Sequence, residues 1–510
     1  MFDWLAVDLK SDGLYFFDCC HDSDPATKKD RSERNIMQGM FDKNRIQKNQ
    51  QDISRITHPV VSYEPSRRMS SSLLVVTLIM VSFGLIMLFS ASMSDGYASQ
   101  SGNSMYYVLR QSGITAMGLT AAFILAVFFP VRFFEPVILT ALLYFATTGL
   151  LIYVRLFGVV INNARRWVSI GIMFQPSELA KLAIIFCFAG YTAWIKRQRQ
   201  RGRFHFRSGI IQFFADGWID ILLPGLAMLV WIILVALQPH LSGALILAFI
   251  GLAVFLIAGL PLHSWASAVT QILVLLLIVL LVFSWLLPML PVGEWQASLE
   301  QNFAHVTRRL ETFSDPEGAD SDATYQIDQS IIAIGSGGMS GLGLGEGRQK
   351  YNYLPEAHND FVFAIIGEEL GFIGSVAVIL LFLSFMFIGI GITLKASAPF
   401  ATLLAGGYTM LITIQALLNI GVATRTLPPT GISLPFFSYG GTSNLFFLLA
   451  IGFILAVSKS GLAKRQKACE RSGRQAMAKS KISRIHPKQP GQPGAFQTRK
   501  SLPDKERAIR

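Results

Sequence analysis

The chain has 510 residues, of which 52% are hydrophobic and only 15% are charged. Soluble globular proteins carry about 25% charged residues, so this composition excludes an ordinary soluble enzyme and indicates a lipid bilayer as the solvent. The net charge of +12 does not indicate nucleic-acid binding, because the basic residues border apolar runs, in the segment Lys196–Arg207 and in the tail after Lys459.

The chain divides into a polar extension, an apolar region and a basic tail. Residues 1–70 have mixed charge and no signal-peptide pattern, which predicts a disordered cytoplasmic extension. Residues 71–458 contain about ten apolar segments, each long enough to cross a bilayer as a helix. These segments are 72–91, 112–129, 134–154, 175–195, 217–237, 241–260, 267–290, 360–392, 398–423 and 436–458. The predicted fold is an all-α polytopic membrane protein, followed by a basic cytoplasmic tail at residues 459–510.

The positions of the basic residues predict which helix ends are cytoplasmic. With the N-terminus inside, Arg132, the segment Lys196–Arg207, Lys395 and the tail all fall on the cytoplasmic side. The loop of about residues 291–359, between spans 7 and 8, then lies outside. Long loops are often functional, so we expect the chemistry of the protein on the outer face.

The first outer segment with unusual polar residues precedes and enters the fourth span. Arg165 and Arg166 lie outside, against the charge trend, and two guanidinium groups suit bidentate binding of phosphate, although anchoring to lipid headgroups is an alternative. Glu178 and Lys181 share one helix face at a spacing of three residues. They form either a structural ion pair or part of a functional cavity.

The second segment is the junction between the long loop and the eighth span, where Asp360 stands. Its carboxylate could cap the helix, or partial desolvation could raise its pKa and make it a general base. Glu368 and Glu369 lie two turns deeper, too far from Asp360 to pair with it, and we expect them to pair with Lys or Arg.

The third segment contains two adjacent prolines, Pro428 and Pro429, which forbid a continuous helix. Irregular backbone at membrane depth is tolerated where it is buried in protein or lines a wet cavity. The segment therefore predicts a re-entrant structure, with a plain turn as the alternative. The glycine-rich run at residues 335–347 is not a phosphate-binding P-loop, because no Gly-Lys-Ser/Thr follows it.

Together these segments resemble the SEDS family of membrane glycosyltransferases, which includes FtsW and RodA. The matching motifs occur in the order of the family. They are Ala164-Arg165-Arg166-Trp167, Phe174-Gln175-Pro176-Ser177-Glu178, Gln238-Pro239, Ile331-Ile332-Ala333-Ile334-Gly335-Ser336-Gly337-Gly338, Tyr353–Ala357 with Asp360, and Pro428–Tyr439 with Gly440-Gly441. His240 departs from the family, which usually has Asp after Gln-Pro. The sequence Pro-Glu-Ala-His at residues 355–358 looks more like the division branch of the family than the elongation branch.

The resemblance implies an enzyme that polymerises lipid II, a disaccharide-pentapeptide on undecaprenyl pyrophosphate, at the outer face of the bacterial cytoplasmic membrane, at the division septum. It implies that Asp360 is the general base. The candidates for binding the pyrophosphate or the rest of lipid II are Arg165, Arg166, Glu178, Lys181, Arg348, Lys350, Glu356, His358 and Ser438.

The resemblance also implies partners, since the chain has no transpeptidase domain of its own. We expect a class B penicillin-binding protein to supply cross-linking, together with other divisome proteins. A divalent cation, Mg²⁺ or Mn²⁺, could assist the leaving pyrophosphate, but the sequence shows no ligands for it. A lipid II flippase or transporter, an elongation polymerase of the RodA type and a non-catalytic scaffold are the alternative functions.

Overall fold

The computed structural model describes residues 69–286 and 321–460, except residues 101, 162–163, 171, 207 and 239. The predicted N-terminal extension up to residue 68, the part of the predicted outer loop up to residue 320 and the tail from residue 461 lie outside the described residues. The following α-helices make up most of the described chain. They are α1 (Ser71–Ser99), α2 (Tyr106–Phe128), α3 (Val137–Phe157), α4 (Pro176–Gln200), α5 (Gly209–Gly217), α6 (Leu223–Ala236), α7 (Leu241–Ile257), α8 (Leu262–Leu286), α9 (Ser321–Ser336), α10 (Val362–Lys395), α11 (Pro399–Ala423) and α12 (Gly441–Ser460).

Apolar helices of membrane-spanning length dominate this set. Within the described residues, 9 helices are long and apolar enough to cross a membrane, if α5 and α6 are taken as one span through the π-helical turn Trp218–Leu222. The apolar helix α7 is shorter, with 17 residues. Each of the apolar segments predicted from the sequence corresponds to one of these helices. The predicted multi-pass helical membrane fold is therefore confirmed.

A small β-sheet between α3 and α4 was not predicted and adds to the helical fold. The strands β1 (Val159–Ile161), β2 (Ala164–Ile170) and β3 (Ile172–Phe174) form an antiparallel sheet in that order. The β-branched residues of this stretch favour strands. Side chains alternate between the two faces of a strand, so neighbouring residues of β2 point in opposite directions.

Contacts between distant segments define the two ends of the helix bundle. At one end, the Ser70 backbone N–H donates to Ser458 Oγ at 3.1 Å, and Lys459 Nζ donates to the Val127 carbonyl at 2.8 Å. Arg197 forms an ion pair with Glu135 at this end as well. The sheet and Asp360 lie at the opposite end. Basic residues predicted to be cytoplasmic therefore share the end that is remote from Asp360.

The glycine-rich run packs against a break in α10. Gly371 has φ +66°, a left-handed conformation that interrupts the helix. A β-carbon on Gly337 would lie 2.0 Å from the Gly367 carbonyl oxygen, and one on Gly341 would lie 2.1 Å from the Glu369 carbonyl oxygen. The glycines are thus required for close backbone contact between the outer loop and α10, rather than for phosphate binding.

Residues 424–440 connect α11 and α12 without forming a helix, and their middle part is buried. Phe436 and Phe437 are 3% and 0% exposed, and a β-carbon on Gly84 would lie 2.2 Å from the Phe436 carbonyl oxygen. Gly84 lies near the middle of α1. The irregular backbone therefore reaches the mid-depth of a spanning helix, which confirms the predicted re-entrant segment and shows that the alternative of a plain turn is wrong.

Candidate functional site

Asp360 lies immediately before α10, in a loop that several backbone contacts hold in place. Its backbone N–H donates to the Glu356 carbonyl at 3.1 Å, and its carbonyl accepts a hydrogen bond from Asn419 Nδ2 at 2.7 Å. The N-cap position of α10 is occupied by Phe361, not by Asp360. The side chain of Asp360 lies against Gly431, where a β-carbon would be 3.4 Å from Asp360 Oδ2. The proposed capping position for Asp360 is therefore wrong.

Asp360 lines a cavity of about 340 Å³ at the sheet end of the bundle. The walls come from β2, α4, the start of α7, α11, the re-entrant segment and the start of α12. Polar side chains from all these elements face the cavity. They are Arg166, Gln175, Glu178, Lys181, His240, Asn359, Asp360, Gln415, Ser433, Tyr439, Thr442 and Ser443. The cavity brings together three segments that the sequence marked separately.

Glu178 and Lys181 form a buried ion pair in the floor of this cavity. Lys181 Nζ lies 2.7 Å from Glu178 Oε2, and the two side chains are 4% and 9% exposed. Lys181 Nζ also donates to Gln415 Oε1 at 2.9 Å. The sequence left open whether Glu178 and Lys181 form a structural ion pair or belong to a functional cavity. In the structure they form an ion pair and also line the cavity. The charge of Lys181 is compensated by Glu178, while both residues line the cavity that contains Asp360.

Arg165 and Arg166 are separated by the alternation of strand β2. Arg166 lines the cavity, and its Nε donates to the Gln238 carbonyl at 3.3 Å. Arg165 is exposed, and its Nη1 donates to the Leu156 carbonyl at 3.0 Å. The two arginines cannot bind one phosphate from the same side in this arrangement. Arg166 is the member of the pair that the structure places with Asp360.

His240 is the N-cap residue of α7 and lines the same cavity. The position at which the resemblance leads one to expect Asp thus provides an imidazole to the cavity wall. A β-carbon on Gly243 would lie 2.4 Å from His240 Nδ1, so this first turn of α7 packs directly against the ring.

Lys350 does not line the cavity that contains Asp360. Its ammonium group is also buried, so it is not accessible to a phosphate. Its Nζ lies 2.7 Å from Glu369 Oε1 and also donates to Ser90 Oγ at 3.2 Å and to the Gly345 carbonyl at 2.6 Å. The side chains of Lys350 and Glu369 are both 0% exposed. The expectation that Glu369 pairs with a lysine is confirmed. The expectation that Lys350 binds pyrophosphate is corrected, because its charge is already compensated inside the protein.

Arg348 and Ser438 also fall outside the cavity. The Arg348 side chain is exposed, while its backbone N–H donates to Glu368 Oε1 at 2.7 Å. Ser438 is buried, and its Oγ accepts a hydrogen bond from the Leu434 backbone N–H at 2.7 Å. The hydroxyl of Ser438 therefore closes a turn of the re-entrant segment instead of facing a substrate.

Glu356 and His358 line a neighbouring cavity of about 550 Å³, which shares Asn359 and Tyr439 with the first. Burial lowers the pKa of His358, although the nearby carboxylates of Asp95 and Glu356 oppose this shift. The His358 carbonyl accepts a hydrogen bond from the Tyr439 backbone N–H at 2.8 Å. These two candidates thus line the adjoining cavity, and they are not part of the wall around Asp360.

Two residues of this site had no role assigned from the sequence. Gln415 and Asn419 lie one turn apart on α11, and each is 1% exposed. A signal was present, because two amides at a spacing of four residues inside an apolar span indicate a polar helix face.

A family model described as "Cell cycle protein", which covers FtsW, RodA and SpoVE, matches residues 70–462. The chain belongs to this family. The match spans α1 to α12 and thus every element that lines the cavity around Asp360. The membership agrees with the resemblance to the SEDS proteins that the motifs indicate.

Relatives within the FtsW, RodA and SpoVE family align along nearly their whole lengths. A protein of Geobacter metallireducens named "Probable peptidoglycan glycosyltransferase FtsW" is 32% identical over 388 residues, which are 76% of this chain and 93% of the relative. A Bacillus subtilis protein of the same name is 33% identical over 395 residues, which are 76% of this chain and 90% of the relative. "Stage V sporulation protein E" of Bacillus subtilis is 33% identical and covers 76% of this chain and 96% of its own.

Solved structures of the family support the same fold. A chain from a peptidoglycan synthase complex, solved for the structural coordination of polymerization and crosslinking, superposes with a TM-score of 0.53 and 26% identity, and covers 76% of this chain and 97% of its own. The rod shape determining protein RodA of Thermus thermophilus superposes with a TM-score of 0.50 and 26% identity, and covers 76% and 96%.

Proposed function

We propose that this chain is a peptidoglycan glycosyltransferase that polymerises lipid II, with Asp360 as the general base. The observation that carries the proposal is the cavity in which Asp360, Arg166 and the pair Glu178–Lys181 meet, in a chain of the FtsW, RodA and SpoVE family. The relatives named peptidoglycan glycosyltransferase support the reaction class.

The residues of the cavity suit a single displacement. Asp360 would accept the proton of the 4-hydroxyl of the acceptor sugar, and the resulting oxygen would attack the anomeric carbon of the donor. The bond from that carbon to the pyrophosphate oxygen breaks as the new glycosidic bond forms. One carboxylate is sufficient for inversion, since no covalent glycosyl-enzyme intermediate is needed.

The leaving pyrophosphate requires positive charge near the oxygen that becomes anionic. Arg166 is our candidate for this task, because its guanidinium group lies in the wall of the cavity that contains Asp360. Fixed cations and hydrogen-bond donors in a water-poor cavity stabilise a developing charge more strongly than the same groups in water. Lys181 would contribute through its remaining N–H donor and by keeping the cavity floor polar.

The proposed reaction uses the side chains of the cavity and assigns no step to a divalent cation. The described residues contain no group of three or more His, Cys, Asp or Glu side chains that could hold a metal ion. Glu178, a carboxylate in the cavity wall that could otherwise act as a ligand, is paired with Lys181. The donor set of the cavity therefore fits the binding of an anion better than the binding of a metal.

We further propose that the protein works in the bacterial cytoplasmic membrane during septal wall synthesis, with both termini in the cytoplasm and Asp360 facing outwards. The names of the FtsW relatives and the basic residues at the end remote from Asp360 support this orientation and role. A class B penicillin-binding protein would supply cross-linking, because a similar solved chain belongs to a synthase complex that coordinates polymerization and crosslinking. Other divisome proteins would complete the assembly.

Polymerisation of labelled lipid II by the purified protein in detergent, with and without the penicillin-binding partner, tests the proposed reaction. A flippase or transporter would only move lipid II across a bilayer, and a scaffold would only bind other proteins. Neither would form glycan strands in detergent micelles. We expect a ladder of glycan products when the partner is present. Absence of product from an intact, monodisperse complex would contradict the enzymatic function and favour transport or scaffolding.

A further inference from the structure

Helix α11 carries two buried amide side chains that the reaction described above does not use. Gln415 and Asn419 face the same side of the helix, and both are 1% exposed. Polar groups inside an apolar span are unfavourable unless they are hydrogen-bonded, and they often mark a functional site. The partners of these amides therefore indicate what they do.

Asn419 joins two segments that are distant in the sequence. Its Nδ2 donates to the Asp360 carbonyl at 2.7 Å and to the Ile432 carbonyl at 2.7 Å. The first acceptor belongs to the loop that carries the base, and the second belongs to the re-entrant segment. A single side chain on a rigid helix thus fixes the backbone of both walls on either side of the Asp360 carboxylate.

Gln415 extends the same arrangement one turn deeper. Its Nε2 donates to the Ser433 carbonyl at 3.2 Å, and its Oε1 accepts the hydrogen bond from Lys181 Nζ. Through these contacts the two amides connect α11 to three walls of the cavity: the loop before α10, the re-entrant segment and the Glu178–Lys181 pair on α4.

The hydrogen bonds of Asn419 favour a role in positioning over a role in stability alone. Its Oδ1 has no hydrogen-bond partner within the part of the chain that the structure describes. A buried acceptor without a partner destabilises a fold, because it has given up its hydrogen bonds to water. An apolar side chain of the same shape would avoid this penalty, but it could not donate to both carbonyls.

We propose that Asn419 is a positioning residue that holds Asp360 in register with the re-entrant wall of the cavity. This inference rests on the proposed function, because it assigns Asn419 a role in the same reaction. Displacement of a catalytic group by about 1 Å can lower the rate about 100-fold. The remaining walls of the cavity are held by other contacts, so loss of Asn419 acts on turnover more than on substrate binding.

The test compares Asn419→Leu, which keeps the shape and removes the donor, with Thr413→Val as a matched control. Thr413 lies on the same helix, is 5% exposed, and donates its hydroxyl to the helix carbonyl of Thr409 at 2.9 Å. The measurements are kcat, KM for lipid II, the pH profile of kcat/KM and the thermal midpoint. We expect Asn419→Leu to lower kcat about 10- to 100-fold, with KM within about threefold and a shifted acid limb. We expect Thr413→Val to keep kcat within about twofold.

Asn419→Ser provides a second variant, since its hydroxyl restores one donor in a smaller side chain. We expect its kcat to lie between those of the wild-type protein and Asn419→Leu. A kcat for Asn419→Leu equal to that of Thr413→Val, or a loss confined to KM, would overturn the positioning role. If the wild-type complex forms no glycan, the proposed function fails at that step, before any variant is compared.

Discussion

Replacement of Lys350 by Met tests the reassignment of this residue from substrate binding to structure. The Lys350 ammonium and the Glu369 carboxylate are 2.7 Å apart, and both side chains are 0% exposed, so solvent does not screen the pair. Lys350→Met leaves Glu369 as a buried carboxylate that still accepts from the hydroxyl of Ser90, at 2.7 Å from Oε1 and 2.6 Å from Oε2. Removal of one partner from a buried ion pair destabilises a protein by about 3–5 kcal/mol.

The double variant Lys350→Met/Glu369→Met is the informative comparison, because replacing both charges with apolar groups of similar volume is often close to neutral. Thermal unfolding of the purified protein in detergent should show a lower midpoint for the single variant and recovery of most of the loss in the double variant. The KM of the double variant for lipid II should stay within about twofold of the wild-type value, since Lys350 would not touch the substrate.

Two results would refute this reasoning. The first is a single variant that unfolds at the wild-type temperature, because a buried, uncompensated carboxylate would then cost nothing. The second is a double variant of normal stability whose KM for lipid II rises about tenfold or more. That outcome would return Lys350 to the group of residues that bind the pyrophosphate.

Three further predictions concern charge, packing and pH. Arg166→Ala should lower kcat/KM about 10- to 100-fold in a polymerisation assay, whereas replacement of the exposed Arg165 by Ala should change kcat/KM by no more than about twofold. Equal losses in the two variants would contradict the assignment of Arg166 to the leaving group. Gly337→Ala should lower the thermal midpoint, because its β-carbon would lie 2.0 Å from a carbonyl oxygen. Gly335→Ala should keep the midpoint, because its β-carbon would have nothing within 4 Å, and equal midpoints for the two variants would contradict the close packing. Burial lowers the pKa of His358 below its unfolded value of about 6.5, so the stability of the protein should fall as the pH drops through that value. The fall should be smaller in His358→Gln. Thermal midpoints that decrease equally in the wild-type protein and in His358→Gln between about pH 7 and 5 would contradict this.

The helices could be predicted from the sequence because each spanning segment must satisfy its own backbone hydrogen bonds in lipid, which makes length and apolarity sufficient evidence. The re-entrant segment was predictable for a related reason, since Pro428 and Pro429 cannot continue a helix. The loop that ends at Asp360 was identified by its length and by a carboxylate at the end of a span. These features are local in the sequence.

The contacts whose partners could not be named from the sequence depend on pairing between distant residues. Lys350 pairs with Glu369 because the glycine-rich loop packs against the break in α10, and no local pattern specifies that contact. Arg165 and Arg166 separate because they lie on a strand rather than on a helix or an irregular loop. Asn419 reaches Asp360 across 59 residues of sequence. In each case the side chain was visible in the sequence, but its partner was set by the tertiary fold.

The rate of lipid II polymerisation by Asp360→Asn is the measurement that tests the account most directly. Asn keeps the shape of the side chain and cannot act as the base, so the rate should fall about 100- to 10,000-fold, while the protein folds and binds its penicillin-binding partner normally. Asp328→Asn is the matched control, because Asp328 is 47% exposed and pairs with Arg425 at 3.2 Å, and it should keep the wild-type rate. Equal rates for Asp360→Asn and Asp328→Asn would contradict the assignment of Asp360 as the general base.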